Sequence, residues 1–306
     1  DSILRMAARA GNEEWCRETI RRFHDATSTG ASGITSLMLG GMPKLAAEHF
    51  AATWRSFFLT HIKELTFSPE VAAQMEAFRT ACADPGLAML GEIYLSFVKD
   101  PPKPDQDDIK GFVNKEGRMK AIAQRFLETK FADPEVRTAC IETLCTDWYA
   151  ADIISKAADE AAAAIDFVRL GSEDNSWEHW QGMKPLQFSV GMKAAAGDVQ
   201  PAIAAFDKAL STSCRQTYLH ESLLREATWG AASVTPWKWA REFESGQTTS
   251  KTKELLPFLD HVIDKTPKNL RSEALADCIS LKWMILVLHG EQAAFEQWQA
   301  KLDEST

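Results

Sequence analysis

The sequence predicts an all-α fold made of antiparallel helical hairpins, stacked as an α-solenoid-like array or, as the alternative, gathered into a compact multi-helix bundle. Apolar residues recur at helical spacing along most of the 306 residues, whereas the Val-, Ile- and Thr-rich runs that would support strands are few. Helix-starting signals repeat: Ser68-Pro69 and Asp133-Pro134 each offer a capping side chain followed by a proline suited to the first helical position. Glycine also punctuates the chain in a recurring way, each time after a short apolar segment and before small and large residues at fixed offsets.

The opening stretch, SILRMAARAGNEEWCRETIRRF at 2–23, reads as two helices rather than one. A glycine inside a helix costs about 1 kcal/mol, but the same residue takes the positive φ that stops a helix and reverses the chain. Gly11 is followed by Cys16, Ile20 and Phe23 at offsets of 5, 9 and 12; Gly41 is followed by Ala46, Phe50 and Thr53, and Gly197 by Ala202, Phe206 and Ala209. Gly290 precedes Ala294, Trp298 and Lys301, the same set moved back by one. A small residue followed by a large one lets the second helix of a hairpin pack closely on the first.

Between these turns, residues 28–33 (STGASG) read as a flexible loop. Residues 43–65 read as a helix opened by Pro43, with Leu45, Phe50, Trp54, Phe57, Phe58 and Ile62 at helical spacings, and 68–82 as the next. Further turn candidates fall near Pro85-Gly86, Gly117, Gly230 and 265–268. DPPKPDQDD at 100–108 is the best linker candidate, because its prolines cannot propagate a helix; it would divide hairpins in 1–99 from a helical repeat region in 109–306. Helices are expected at 118–130, from Asp133 onward, and at 146–169, 185–196, 200–210, 217–228, 236–245, 252–264, 269–288 and 291–302, with GSEDNS at 171–176 as a second break.

AAAGDVQPAIAAFDKAL, residues 194–210, resembles the turn and second helix of a tetratricopeptide repeat, with Ala202, Phe206 and Ala209 at that family's small-large-small positions. MAARAGNEEWCRETIRRF is similar to tetratricopeptide or pentatricopeptide hairpins in its Ala-Gly-Asn turn. The Trp, Leu, Gly and Tyr positions of the first helix are not matched in order, and the resemblance covers about a quarter of the chain. It implies a superhelical binding scaffold, holding protein or peptide in tetratricopeptide arrays and single-stranded RNA in pentatricopeptide ones.

Composition narrows the function classes. Lys and Arg number 34 against 43 Asp and Glu, so the formal charge of −9 disfavours broad attraction to phosphate backbones. Six cysteines at positions 16, 82, 140, 145, 214 and 278 lack the density of a disulfide scaffold and suit a reducing compartment. An intracellular, cytoplasmic location is expected. An organellar one stays open, because a chain that starts at Asp1 rather than Met reads as processed or cut from something longer. The longest apolar runs are too short to cross a bilayer, so no transmembrane segment is expected.

No nucleotide-binding glycine motif, serine-hydrolase elbow or metal-binding H-E-x-x-H occurs in the sequence. Cys140 and Cys145 lie roughly 140° apart around a helix and read as core residues. Asp107 and Asp108 open DDIKG, where Gly111 stands in place of the aspartate that would complete a magnesium-binding D-D-x-x-D; Asp152 and Asp159, with Ser155, look superficially like the second metal motif of terpene synthases. Arg17, Arg21 and Arg22 form the most obvious basic cluster, interleaved with Glu13, Glu14 and Glu18. Of the ten tryptophans, Trp177 and Trp180 share a helical face by spacing, whereas Trp237 and Trp239 cannot, and these four are the candidate partner anchors.

The expectation is therefore a non-catalytic scaffold or adaptor for a protein or peptide, without a cofactor and with no catalytic residue assigned. Its acidic excess would favour a basic segment if concentrated on one face. The first alternative is an all-α enzyme with a carboxylate-lined pocket, Asp107, Asp108, Asp152 and Asp159 holding magnesium. The second is single-stranded RNA binding through Arg17, Arg21 and Arg22.

Overall fold

In the computed structural model, residues 2–23, 30–56, 69–96, 108–146, 150–165, 184–195, 198–212, 250–265 and 273–303 are described, and every regular element among them is helical. The α-helices are α1 (Ser2–Arg9), α2 (Glu13–Phe23), α3 (Gly30–Leu39), α4 (Pro43–Thr53), α5 (Pro69–Ala81), α6 (Pro85–Ser96), α7 (Asp108–Glu128), α8 (Pro134–Leu144), α9 (Ala151–Ala163), α10 (Lys184–Ala195), α11 (Val199–Thr212), α12 (Leu256–Lys265), α13 (Glu273–Leu288) and α14 (Gln292–Asp303). Short 3-10 turns follow α4 at Trp54–Ser56 and precede α12 at Ser250–Leu255. The chain divides into two compact units, Asp1–Ile154 and Ser155–Thr306.

The reversal at Gly11 is built as the sequence predicts. Gly11 has φ 66°, its N–H donates to the Ala8 carbonyl, and the Asn12 N–H reaches back to the Ala7 carbonyl, each at 3.0 Å. These two bonds satisfy carbonyls that the end of α1 would otherwise leave orphaned. Asn12 then caps α2, its Oδ1 accepting the Trp15 N–H at 3.0 Å, so three residues end one helix and start the next. The same pair of backbone bonds recurs at Gly41 (φ 77°) and Gly290 (φ 67°). Gly197 lies outside the described residues, but the longer bond of the pair is present there too, from the Asp198 N–H to the Lys193 carbonyl at 2.8 Å.

The side-chain offsets hold in part. Cys16, Ala46 and Ala202 are fully buried, as are Phe50 and Phe206. Ile20 is only half-buried, and Thr19 beside it takes the inward place. In the last hairpin Ala294 and Trp298 are half-buried.

Two expectations are corrected. Residues 30–33 are the first turn of α3 rather than loop, because the small residues let that helix lie close to its neighbours: a Cβ at Gly33 would stand 3.3 Å from Leu4 Cδ2 and 3.4 Å from His49 Nε2. Gly117 is no turn either. It sits within α7, where Met119, Ile122, Ala123 and Phe126 form a buried stripe that carries the helix past the glycine. Of the two start signals, Ser68 lies outside the described residues, and Asp133 operates, its Oδ1 accepting the Glu135 N–H at 2.8 Å ahead of α8; at the Pro85-Gly86 turn candidate Asp84 Oδ1 likewise accepts the Leu87 N–H at 3.0 Å at the start of α6.

In the first unit α1 packs on α2 and α3, α3 on α4 and α5, and α6 on α5, α7 and α8. Phe50 anchors this core, its ring 6.1 Å from Phe78 and 6.0 Å edge-on from Tyr94, while Gly91 leaves the space that the two phenylalanine rings fill. Residues 100–107 of the expected linker lie outside the described residues; α6 and α7, on either side of it, pack on each other. In the second unit, Leu186 and Val190 of α10, Ala202 and Phe206 of α11, Phe258, Leu259 and Val262 of α12, and Cys278, Leu281 and Ile285 of α13 share one core. No described helix is long and apolar enough to cross a membrane.

Candidate functional site

The basic cluster is the one predicted site whose described side chains come together. Arg17 lies on α2 and reaches two ways, to Glu13 on its own helix and to Glu48 Oε2 on α4 at 2.7 Å. Arg21 and Arg22 both close on Glu18, at 2.8 and 2.6 Å. Hydrogen bonds from Arg21 and Arg22 hold the Glu18 carboxyl at about 2, well below the usual carboxylate range, and Glu48 followed by Glu13 raises Arg17 above its ordinary value. The three guanidiniums are thus spent on carboxylates. A nucleic-acid phosphate would have to displace Glu13, Glu18 and Glu48, so the arrangement fastens hairpin to hairpin more readily than it reads a phosphate backbone.

The acidic candidates are dispersed. Asp107 lies outside the described residues and Asp108 opens α7. Asp152 and Asp159 are exposed on α9, two turns apart. Asp159 Oδ1 is already taken by Lys193 Nζ and by the Ser189 hydroxyl, and Lys193 Nζ also donates to Ser189 Oγ at 2.6 Å. Serine, lysine and carboxylate at such distances invite a nucleophilic reading. The geometry does not support it, since the Ser189 hydroxyl and Lys193 Nζ both donate to the same Asp159 oxygen and no separate base is aligned on the serine. The trio is a polar clasp between α9 and α10. Among the described residues no three His, Cys, Asp or Glu side chains converge as a metal-holding group.

A charged site that sequence reasoning missed lies inside the first unit. Glu92 on α6 is buried, and its Oε1 accepts from Arg79 of α5 at 2.8 Å and from Arg125 of α7. Its Oε2 is buried without a hydrogen-bond partner. Arg79 gains a second carboxylate from Glu76; burial works against its charge, but these acids outweigh it and raise it above its ordinary value. One carboxylate therefore ties three consecutive helices together, and no local motif in the sequence announces it because the partners are 13 and 33 residues away.

In the second unit His261 Nε2 lies 2.7 Å from Asp207 Oδ1, with its ring edge-on to the buried Phe206 at 6.1 Å. Cys140 and Cys145 are buried, as expected for core thiols, and burial pushes the Cys140 thiol well above its ordinary value. Trp177, Trp180, Trp237 and Trp239 lie outside the described residues. The large apolar side chains that do stand open among the described residues belong chiefly to the first and last hairpins: Ile3, Met6 and Trp15 in one, Trp283, Met284 and Val287 in the other.

Comparison with protein-family models, with curated proteins and with solved structures gives no match.

Proposed function

We propose that the chain is a non-catalytic scaffold that holds a protein or peptide on the outer surfaces of its helical hairpins. The observation that supports this most is the recurring reversal at Gly11, Gly41 and Gly290, with positive φ and the same two backbone bonds each time. Each such hairpin buries one side against its neighbour and turns the other outward, so repetition builds extended surface from a simple unit. The tetratricopeptide-like arrangement of Ala202 and Phe206, both buried on α11, supports the same reading. Trp177, Trp180, Trp237 and Trp239 are the proposed anchors, because aromatic side chains contribute large contact area at small entropic cost.

The test is affinity capture from native extract with the intact chain, with and without nuclease, at low and moderate salt, using wild type beside Trp177→Ala/Trp180→Ala and Trp237→Ala/Trp239→Ala chains. A protein retained by wild type after nuclease, and lost from at least one folded double variant, supports the scaffold. A set of partners removed by nuclease would replace it with RNA binding. No specific partner for a folded bait would overturn it.

A further inference from the structure

We draw no further inference here: the strongest candidate, the charged side-chain cluster where Arg79 of α5 and Arg125 of α7 meet the buried Glu92 of α6, belongs to the helix packing already described, since both arginines are already paired with carboxylates and nothing in the structure shows what the second Glu92 oxygen would hold.

Discussion

Gly40→Ala tests whether α1 and α3 really approach as closely as the first two hairpins require. A Cβ at Gly40 would lie 2.5 Å from the Ala8 carbonyl oxygen, 2.8 Å from its carbon and 3.0 Å from its Cβ, about 1 Å inside ordinary contact at the closest point. The obstacle is backbone, so no side-chain rotation relieves it. The two helices must separate, loosening the contact of Leu4 with Gly33 as well, and overpacking of this kind costs about 1–3 kcal/mol. Gly117→Ala supplies the control, because that glycine lies within α7 with nothing within 4 Å of the new methyl group. There the helix gains about 1 kcal/mol from the better intrinsic propensity of alanine. One substitution type should thus act with opposite signs at two sites in one unit. Amide hydrogen exchange in α3 and α7 is the appropriate assay, since a chain of two units need not unfold in one step. Protection in α3 should fall by about 5- to 150-fold in Gly40→Ala and rise in α7 in Gly117→Ala. Unchanged or increased protection of α3 in Gly40→Ala would refute the close-approach argument.

Three further outcomes follow from the charged and thiol groups. Glu92→Gln should destabilise the first unit by about 1–3 kcal/mol in chemical denaturation, since it weakens charge-assisted bonds to Arg79 and Arg125 at a buried oxygen; a neutral result would mean that the arginines are fully served by solvent. The Glu18 carboxyl, depressed to about 2, should titrate by NMR near that value and move toward about 4.3 when Arg21 and Arg22 are both replaced by Gln. Its sign follows from the depression: the contribution of the pair is complete above the unfolded carboxylate range and is lost as pH falls from about 4.3 through 2, an effect that added salt should shrink because the pairs are open to solvent. Burial pushes the Cys82 thiol up to about 11 and Cys140 still more strongly, so site-resolved alkylation at pH 8 should be slow at both in the native chain and fast in denaturant.

What was legible in the sequence was the chain reversal, because its cause is local. Only glycine takes φ near 70° without cost, and Gly11, Gly41 and Gly290 all do so. The small and large positions after the turn were legible for the same reason at Cys16, Ala46, Phe50, Ala202 and Phe206, whose helical spacing from the turn fixes the side they occupy. Legibility failed where the cause lay across the fold. Gly33 resembles a loop glycine until α1 is placed beside it, and Glu92 resembles a surface acid until Arg79 and Arg125 arrive from neighbouring helices. The basic cluster was ambiguous for an intermediate reason: Glu13 and Glu18 are visible as helical neighbours, but the pairing of Arg17 with Glu48 is a tertiary contact.

The same distinction explains why turns recur more faithfully than the helix faces they join. A turn must meet one backbone requirement, so the residue that meets it best returns. A junction between hairpins must only conserve the sum of two side chains, and the sum can be divided in different ways. At the α1–α3 junction Leu4 and Ala8 are matched by Gly33 and Gly40, so the receiving side has given up its bulk entirely. At the last hairpin the corresponding positions hold Trp283 and Val287, both bulkier than Leu4 and Ala8 and both exposed. There the aromatic contacts of Trp283 with Phe295 and Trp298 lie within the hairpin itself. Each junction is consequently specific to its own pair of hairpins. That specificity favours one ordered sequence of contacts over slippage between them.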